Sequence, residues 1–354
     1  MPIETLKWKG GIDGCLELID QRLLPERNEI LSCKTTGQLF EAIQTLAVRG
    51  APAIGVAAAY GVCLGAQNIS SNESITEIAE RVNETCDYLA KSRPTAVNLF
   101  WALDRMRQAT AAYCNGHPNA SAGDLACFLL EQANAICAED QQMCRAIGQN
   151  GEPLIPNGGT VLTHCNAGAL ATAGMGTALA PMYVAHQNGK RFRVYVDETR
   201  PLLQGARLTA WELVQANIDA VLICDNMAAS LMADGKVDAI ITGADRIAAN
   251  GDTANKIGTL ALSVCAKHYG IPFYIAAPSS TFDLSIDSGA HIPIEERKAD
   301  EVANFGKIAT APKGMKVFNP AFDVTPAEHI AAIITEKGVI ELPNTGKISR
   351  LLRP

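Results

Sequence analysis

After Asn150-Gly151-Glu152-Pro153 the chain follows one pattern: short apolar runs alternate with helical stretches. The runs cover 160–165, 193–197, 220–224, 239–242, 273–276 and, less regularly, 316–318. The stretches between them have the length of crossover helices, about 10 to 20 residues. Strands joined by helices pair in parallel, and helices then cover both faces of the sheet. An α/β fold with a Rossmann-like, doubly wound parallel sheet is therefore expected. In such sheets ligands bind beyond the carboxyl ends of the strands. Two runs end there in reactive side chains. Thr163-His164-Cys165-Asn166-Ala167-Gly168 closes one, and Thr242-Gly243-Ala244-Asp245-Arg246 closes another. A thiol and a carboxylate, remote in sequence, are expected to face one cavity, a pairing suited to proton transfer on a small molecule.

The first 150 residues read differently. Residues 6–8, 15–19 and 29–31 have the alternation and turn residues of an antiparallel meander. Helical periodicity then runs through 36–46, 53–66, 74–91, 95–113 and 122–149. The 354 residues suit two domains. We expect a mostly helical domain with the small antiparallel sheet over 1–125, and a Rossmann-like domain over 126–354. Their boundary falls within the long helix at 122–149.

A net charge of −7 argues against nucleic acid, which needs a basic footprint. The 11 cysteines include no Cys-x-x-Cys, and Met1-Pro2-Ile3-Glu4 has no secretory character, so a reducing cytoplasm is expected. The longest apolar run, 51–66, is too short and too weakly hydrophobic for a membrane and reads as a buried helix. The six histidines are dispersed without ligand spacing, and neither Gly-x-Gly-x-x-Gly nor a P-loop occurs. No metal and no cofactor are expected.

Cys165 reads either as strand packing or as a functional thiol. Its place at a strand end, before a turn and a helix expected from Ala169, favours the second, because a helix N-terminus lowers a thiol pKa. His164 points to the other face of the strand and reads as structural. Asp245 is either a cap or a partner of Arg246, or a general acid whose pKa an apolar cavity raises. Arg49-Gly50-Ala51-Pro52, a link between helices, combines an arginine with accessible amides suited to phosphate. Arg93-Pro94-Thr95 repeats that arrangement. In 197–205, Gln204 can donate to a phosphate, and Glu198 with Arg200 reads as an ion pair. Asn255 and Lys256 are expected in the first turn of a helix ending at Gly270, capped by Asp252 or Thr253, with Ile257, Leu260, Ala261, Val264 and Cys265 as its apolar face. There an anion would find free amides; a solvated lysine is the other reading.

These segments together resemble the methylthioribose-1-phosphate isomerases of methionine salvage and amino-acid biosynthesis. That family lies in the superfamily of the alpha, beta and delta subunits of eukaryotic initiation factor 2B. The most specific blocks are Thr163 to Gly168 and Asn319-Pro320-Ala321-Phe322-Asp323-Val324-Thr325-Pro326. The resemblance implies a cytoplasmic homodimer acting on a small sugar phosphate, with Cys165 and Asp245 as the catalytic pair. Substrate binding falls on Arg49, Gly50, Ala51, Arg93, Gln204, Asn255 and Lys256. The implied reaction is aldose–ketose isomerisation of 5-methylthioribose 1-phosphate. The alternatives are a 5-deoxyribose 1-phosphate or ribose 1,5-bisphosphate isomerase, or a non-catalytic initiation-factor subunit.

Overall fold

The computed structural model describes residues 3–67, 73–94, 96–306 and 308–352. Thr95 lies outside them. The described residues divide into two compact units, 3–142 with 169–176, and 143–168 with the residues from 177 onward. The junction at 142/143 falls inside the helix Ala122–Gly151.

In the first unit, strands Leu6–Lys9, Cys15–Ile19 and Ile30–Cys33 form the antiparallel meander, registered by Leu6↔Leu18 and Leu18↔Leu31. Leu16 and Leu18 are buried on one face while Glu17 between them meets solvent, the two-residue period of a one-sided sheet. Helices Thr36–Gln44, Ala51–Gly65, Ile75–Ala90 and Val97–Gly116 follow. The first starts at a capping box, with the Thr35 hydroxyl accepting from the Gln38 amide and the Gln38 side chain accepting from the Thr35 amide. Helix Ala51–Gly65 is buried from Ala53 to Leu64. Its alanines and glycines keep it thin, so neighbouring helices approach closely. No helix among the described residues is long and apolar enough to cross a membrane.

The second unit is built on a seven-stranded sheet. Its order is Gly338–Glu341, Ala332–Thr335, Phe273–Ala276, Ala239–Thr242, Thr160–Thr163, Arg193–Asp197, Ala220–Ile223. All neighbours are parallel except the antiparallel edge strand Gly338–Glu341. The doubly wound sheet expected from the sequence is therefore present. The expected strand at 316–318 is not: those residues are irregular, and Phe318 is exposed. The parallel strand after Phe273–Ala276 is instead Ala332–Thr335, whose residues are all buried.

A second sheet of four short strands, in the order Phe282–Asp283, Arg246–Ala248, Thr253–Lys256, Phe322–Thr325, begins four residues after the carboxyl end of Ala239–Thr242. It overturns the expectation that Asn255 and Lys256 lie in a helical first turn. Both are on a strand, paired Asn255↔Asp323 and Lys256↔Phe322. The helix spans Thr259–Tyr269, and its buried residues are Thr259, Leu262, Ser263 and Ala266, while Val264 of the expected apolar face is exposed. Neither Asp252 nor Thr253 caps it. Asp323 does, accepting from the amides of Gly258 at 2.8 Å and Leu260 at 3.0 Å.

Candidate active site

Strands Thr160–Thr163 and Ala239–Thr242 are neighbours at the centre of the sheet, registered by Leu162↔Ile240 and tied by the Thr163 hydroxyl to the Ile241 carbonyl at 2.8 Å. Cys165 leaves one carboxyl end two residues on, and Asp245 leaves the other three residues on. Both are partly buried. The Arg246 guanidinium pairs with Asp283 at 3.1 Å. The Asp245 amide bonds the Ala254 carbonyl at 2.9 Å, which ties this strand end to the strand carrying Asn255 and Lys256.

Cys165 sits in the left-handed backbone region, at φ 61. Thr199 and Leu203 share that conformation, at φ 64 and φ 58. A non-glycine residue held there costs about 1–3 kcal/mol, and such residues gather at functional sites. Several of the other thiols are held in their neutral form. Burial pushes the Cys33 thiol up to about 11 and the Cys86 thiol up to about 12. Exposed Cys224 is raised by the charge of nearby Glu198.

The helix expected from Ala169 is a single 3-10 turn, Ala169–Ala171. The Thr172 amide closes the turn on the Ala169 carbonyl at 3.1 Å, and two distant side chains bind the same stretch. The Thr5 hydroxyl donates to the Ala169 carbonyl at 2.7 Å, and the Gln21 side-chain amide donates to the Leu170 carbonyl at 2.7 Å. A helix N-terminus therefore does not account for an activated Cys165. The next α-helix is Ala180–Gln187.

His164 is the buried structural histidine the strand alternation implies. Its Nδ1 lies 2.9 Å from Asp197 Oδ2, and its Nε2 lies 2.9 Å from the Ile257 carbonyl. While Asp197 is ionised both partners are acceptors, an arrangement that puts hydrogen on both ring nitrogens and favours the imidazolium. Burial works against that charge, but the hydrogen bond and charge of Asp197, the charge of Asp225 and the Ile257 carbonyl raise its pKa overall. Burial also pushes the Asp197 carboxyl up to about 6, partly offset by His164. Asp197 Oδ1 has no hydrogen-bond partner among the described residues, which leaves that side of the carboxylate uncompensated. Gly258, at φ 105, lets the ring in: a Cβ there would lie 2.8 Å from His164 Cε1.

His164, Asp197 and Asp225 also offer ligand-type atoms within 4.8 Å of one another. All but Asp197 Oδ1 are already engaged among these residues. His164 Nδ1 and Asp197 Oδ2 bind each other, and the Asp225 oxygens accept from the amides of Thr199 and Arg200, both at 2.7 Å.

Of the expected phosphate ligands, Gln204 follows strand Arg193–Asp197 and immediately precedes the turn Gly205–Thr209. It is buried, and its side-chain oxygen has no partner among the described residues. Lys256 is buried too. Its ammonium donates to the Ala321 carbonyl at 2.9 Å and stands 4.6 Å from the centre of the Phe322 ring. Asn255 donates through its side chain to the Thr259 hydroxyl at 3.0 Å. In the first unit, Arg49 and Gly50 precede helix Ala51–Gly65, with Pro52 in its first turn. Gly50 takes φ 92, and a Cβ on it would stand 2.5 Å from the Ala171 backbone. Arg93 precedes helix Val97–Gly116 and lends its carbonyl to the Ala96 amide at 3.1 Å.

The expected Glu198–Arg200 pair is replaced by another arrangement. Arg200 donates to the carbonyls of Pro201 and Val302 and lies over the Phe305 ring, 5.7 Å from its centroid. The sequence reading also missed Thr199, Thr209, Asp197 and Asp323. Asp197 and Thr199 lie inside the stretch 197–205 and Asp323 inside the block Asn319–Pro326, but only their contacts in the fold give them roles.

Residues 47–342 match the Initiation factor 2 subunit family. The chain is 53% identical over 354 residues to the 5-deoxyribose 1-phosphate isomerase of Moorella thermoacetica, covering 99% of this chain and 98% of that one. It is also 53% identical over 351 residues to the methylthioribose-1-phosphate isomerase of Rhodopirellula baltica, covering 98% and 97%. The crystal structure of 5-methylthioribose 1-phosphate isomerase from Pyrococcus horikoshii OT3 superposes with a TM-score of 0.91 at 42% identity, covering 99% of this chain and 96% of that one.

Proposed function

Because this chain belongs to the Initiation factor 2 subunit family, we propose that it is an aldose–ketose isomerase converting 5-methylthioribose 1-phosphate to 5-methylthioribulose 1-phosphate. The observation that carries this reading is the delivery of Cys165 and Asp245 from the carboxyl ends of two adjacent central strands. Phosphate on the anomeric oxygen prevents simple ring opening to an aldehyde, which leaves proton transfer or a hydride shift from carbon 2 to carbon 1; a candidate acid and base at one place favour proton transfer. Asp245 protonates the ring oxygen as the ring opens. Cys165, as thiolate, takes the proton from carbon 2 and leaves an enol phosphate. Return of that proton from Cys165 to carbon 1, with the 2-hydroxyl proton passing to the Asp245 carboxylate, gives the ketose and restores both groups. Anion-binding roles go to Arg49 with the amides of Gly50 and Ala51, to Arg93, and to Asn255 and Lys256. Gln204, with an unpartnered buried side-chain oxygen, suits a sugar hydroxyl.

The names of its relatives support a second substrate, 5-deoxyribose 1-phosphate. The two sugars share a ribose 1-phosphate without a 5-hydroxyl. Assaying 5-methylthioribose 1-phosphate, 5-deoxyribose 1-phosphate and ribose 1,5-bisphosphate side by side tests the proposal. Turnover of the first, with the bisphosphate the poorest, is the expected result. No turnover of any of the three would point to a non-catalytic subunit and overturn it.

Lys256→Ala should raise KM by about 10- to 100-fold, the worth of a charged hydrogen bond of ~1.5–3 kcal/mol, with a smaller effect on kcat. An unchanged KM would remove Lys256 from the binding set.

A further inference from the structure

We propose that Thr199 and Thr209 are positioning residues, which clamp the Cys165 backbone in its left-handed conformation and so aim the thiol. This rests on the reading of Cys165 as the reacting group. Both hydroxyls are fully buried. Thr199 Oγ1 accepts from the Cys165 amide at 2.8 Å and donates to the Asp197 carbonyl at 3.1 Å. Thr209 Oγ1 donates to the Cys165 carbonyl at 2.6 Å and accepts from the Asn166 side chain at 3.1 Å. Each hydroxyl thus holds one side of residue 165 and is itself held by a second bond.

The elements that bring the two threonines there are themselves irregular. Thr199 has its own positive φ, fixed by its amide to Asp225 at 2.7 Å and by its carbonyl to the Leu203 amide at 2.8 Å. Thr209 ends a π-helical turn, Gly205–Thr209, closed by the Ala210 amide on the Gly205 carbonyl. Single π turns inside helices recur at functional sites. An extra residue in the turn rotates the side chains after it, and here Thr209 meets the Cys165 carbonyl. Beneath, Asn166 also donates to Glu212 at 2.8 Å, and Glu212 accepts from the Tyr183 hydroxyl at 2.8 Å. The clamp is therefore anchored in a buried network. Without it the backbone at Cys165 relaxes towards negative φ, and the Cα–Cβ bond turns to a new direction.

The test uses Thr209→Val and Thr199→Val, which keep shape and remove the hydroxyl, beside Thr209→Ser and Thr199→Ser, which keep the hydroxyl. In the valine variants kcat should fall about 10–100-fold, the effect of a displaced reacting group, while KM stays within about twofold. The rate of Cys165 alkylation by iodoacetamide, read by mass spectrometry of its peptide, should change in the same variants. Serine should restore both. A merely structural threonine would lower the melting temperature and leave kcat per folded molecule unchanged. If one valine variant does not fold, the other carries the test. Cys165→Ser is assayed in parallel. Full kcat in a folded valine variant, with Cys165→Ser inactive, would overturn the clamp and leave the reading of Cys165 intact. Near-normal activity of Cys165→Ser would overturn that reading, and the clamp with it.

Discussion

Cys165→Ser lowers turnover by about 10²–10⁴-fold, the usual worth of a positioned acid or base, and Asp245→Asn does the same. Serine keeps the shape of the side chain but is far less acidic than a thiol. Asparagine keeps the outline of aspartate but has no acidic proton to give. Neither residue belongs to the buried core, so unfolding midpoints and substrate binding should stay close to the parent's. Steady-state kinetics with a parallel urea titration is the check. Activity near the parent's in either variant would take that residue out of the proposed chemistry. The double variant should be barely worse than the worse single one, because an acid and a base that act in one step lose their effect together.

His164→Leu destabilises the fold by about 3–5 kcal/mol, since it strands the buried Asp197 carboxylate and the Ile257 carbonyl without their partner. Replacing both members, His164→Leu with Asp197→Leu, should recover much of that loss, because an apolar pair has no buried charge to compensate. The pH dependence has a definite sign. His164 has its pKa raised from 6.5, and Asp197 has its pKa raised from 3.8 to about 6. Each therefore holds a proton more tightly in the folded state than in the unfolded chain. The stability they contribute is full at acid pH and is lost as pH rises, for Asp197 between 3.8 and about 6, and for His164 from 6.5 upward through its raised value. Urea unfolding of the parent and the double variant across that range measures it. A stability difference that grows with pH would show that the pair does not titrate this way.

The parallel sheet was legible because its strands read as apolar runs with helices between. The central ones are apolar because they are buried on both faces; the edge run Ala220–Ile223 is apolar although Val221 and Leu222 are exposed. The runs at 160–165, 193–197, 220–224, 239–242 and 273–276 all became strands. The second sheet was not legible. Its strands are two to four residues long, too short for a period to emerge, and Thr253–Lys256 is defined by a partner about 70 residues later. A similar distance hid the true start of helix Thr259–Tyr269, because its cap is Asp323. A local reading sees Asn255-Lys256-Ile257 running into a helical pattern and extends the helix backwards. Ala169 is the reverse case. The sequence there favours helix, but only one turn forms, and Thr5 and Gln21, about 150 residues upstream, bind the Ala169 and Leu170 carbonyls. The residue types of the candidate site were legible from strand ends and turns. The support for Cys165 was not, because a threonine hydroxyl aimed at a backbone 34 or 44 positions away leaves no local pattern.

The segment 169–176 belongs with the first unit although it follows the thiol-bearing turn of the second. The polypeptide therefore leaves the first unit at 142, returns for eight residues, and leaves again. Thr5, Gln21 and Asp140 all spend hydrogen bonds on that return, to Ala169, Leu170 and Ala173. On the ribosome the N-terminal unit consequently stays unfinished until the first strand of the large sheet has been made. A gene fragment ending at the 142/143 junction would encode a body missing one of its own pieces. The order of synthesis and the order of assembly do not coincide, which makes these two bodies a poor substrate for recombination by simple exchange of halves.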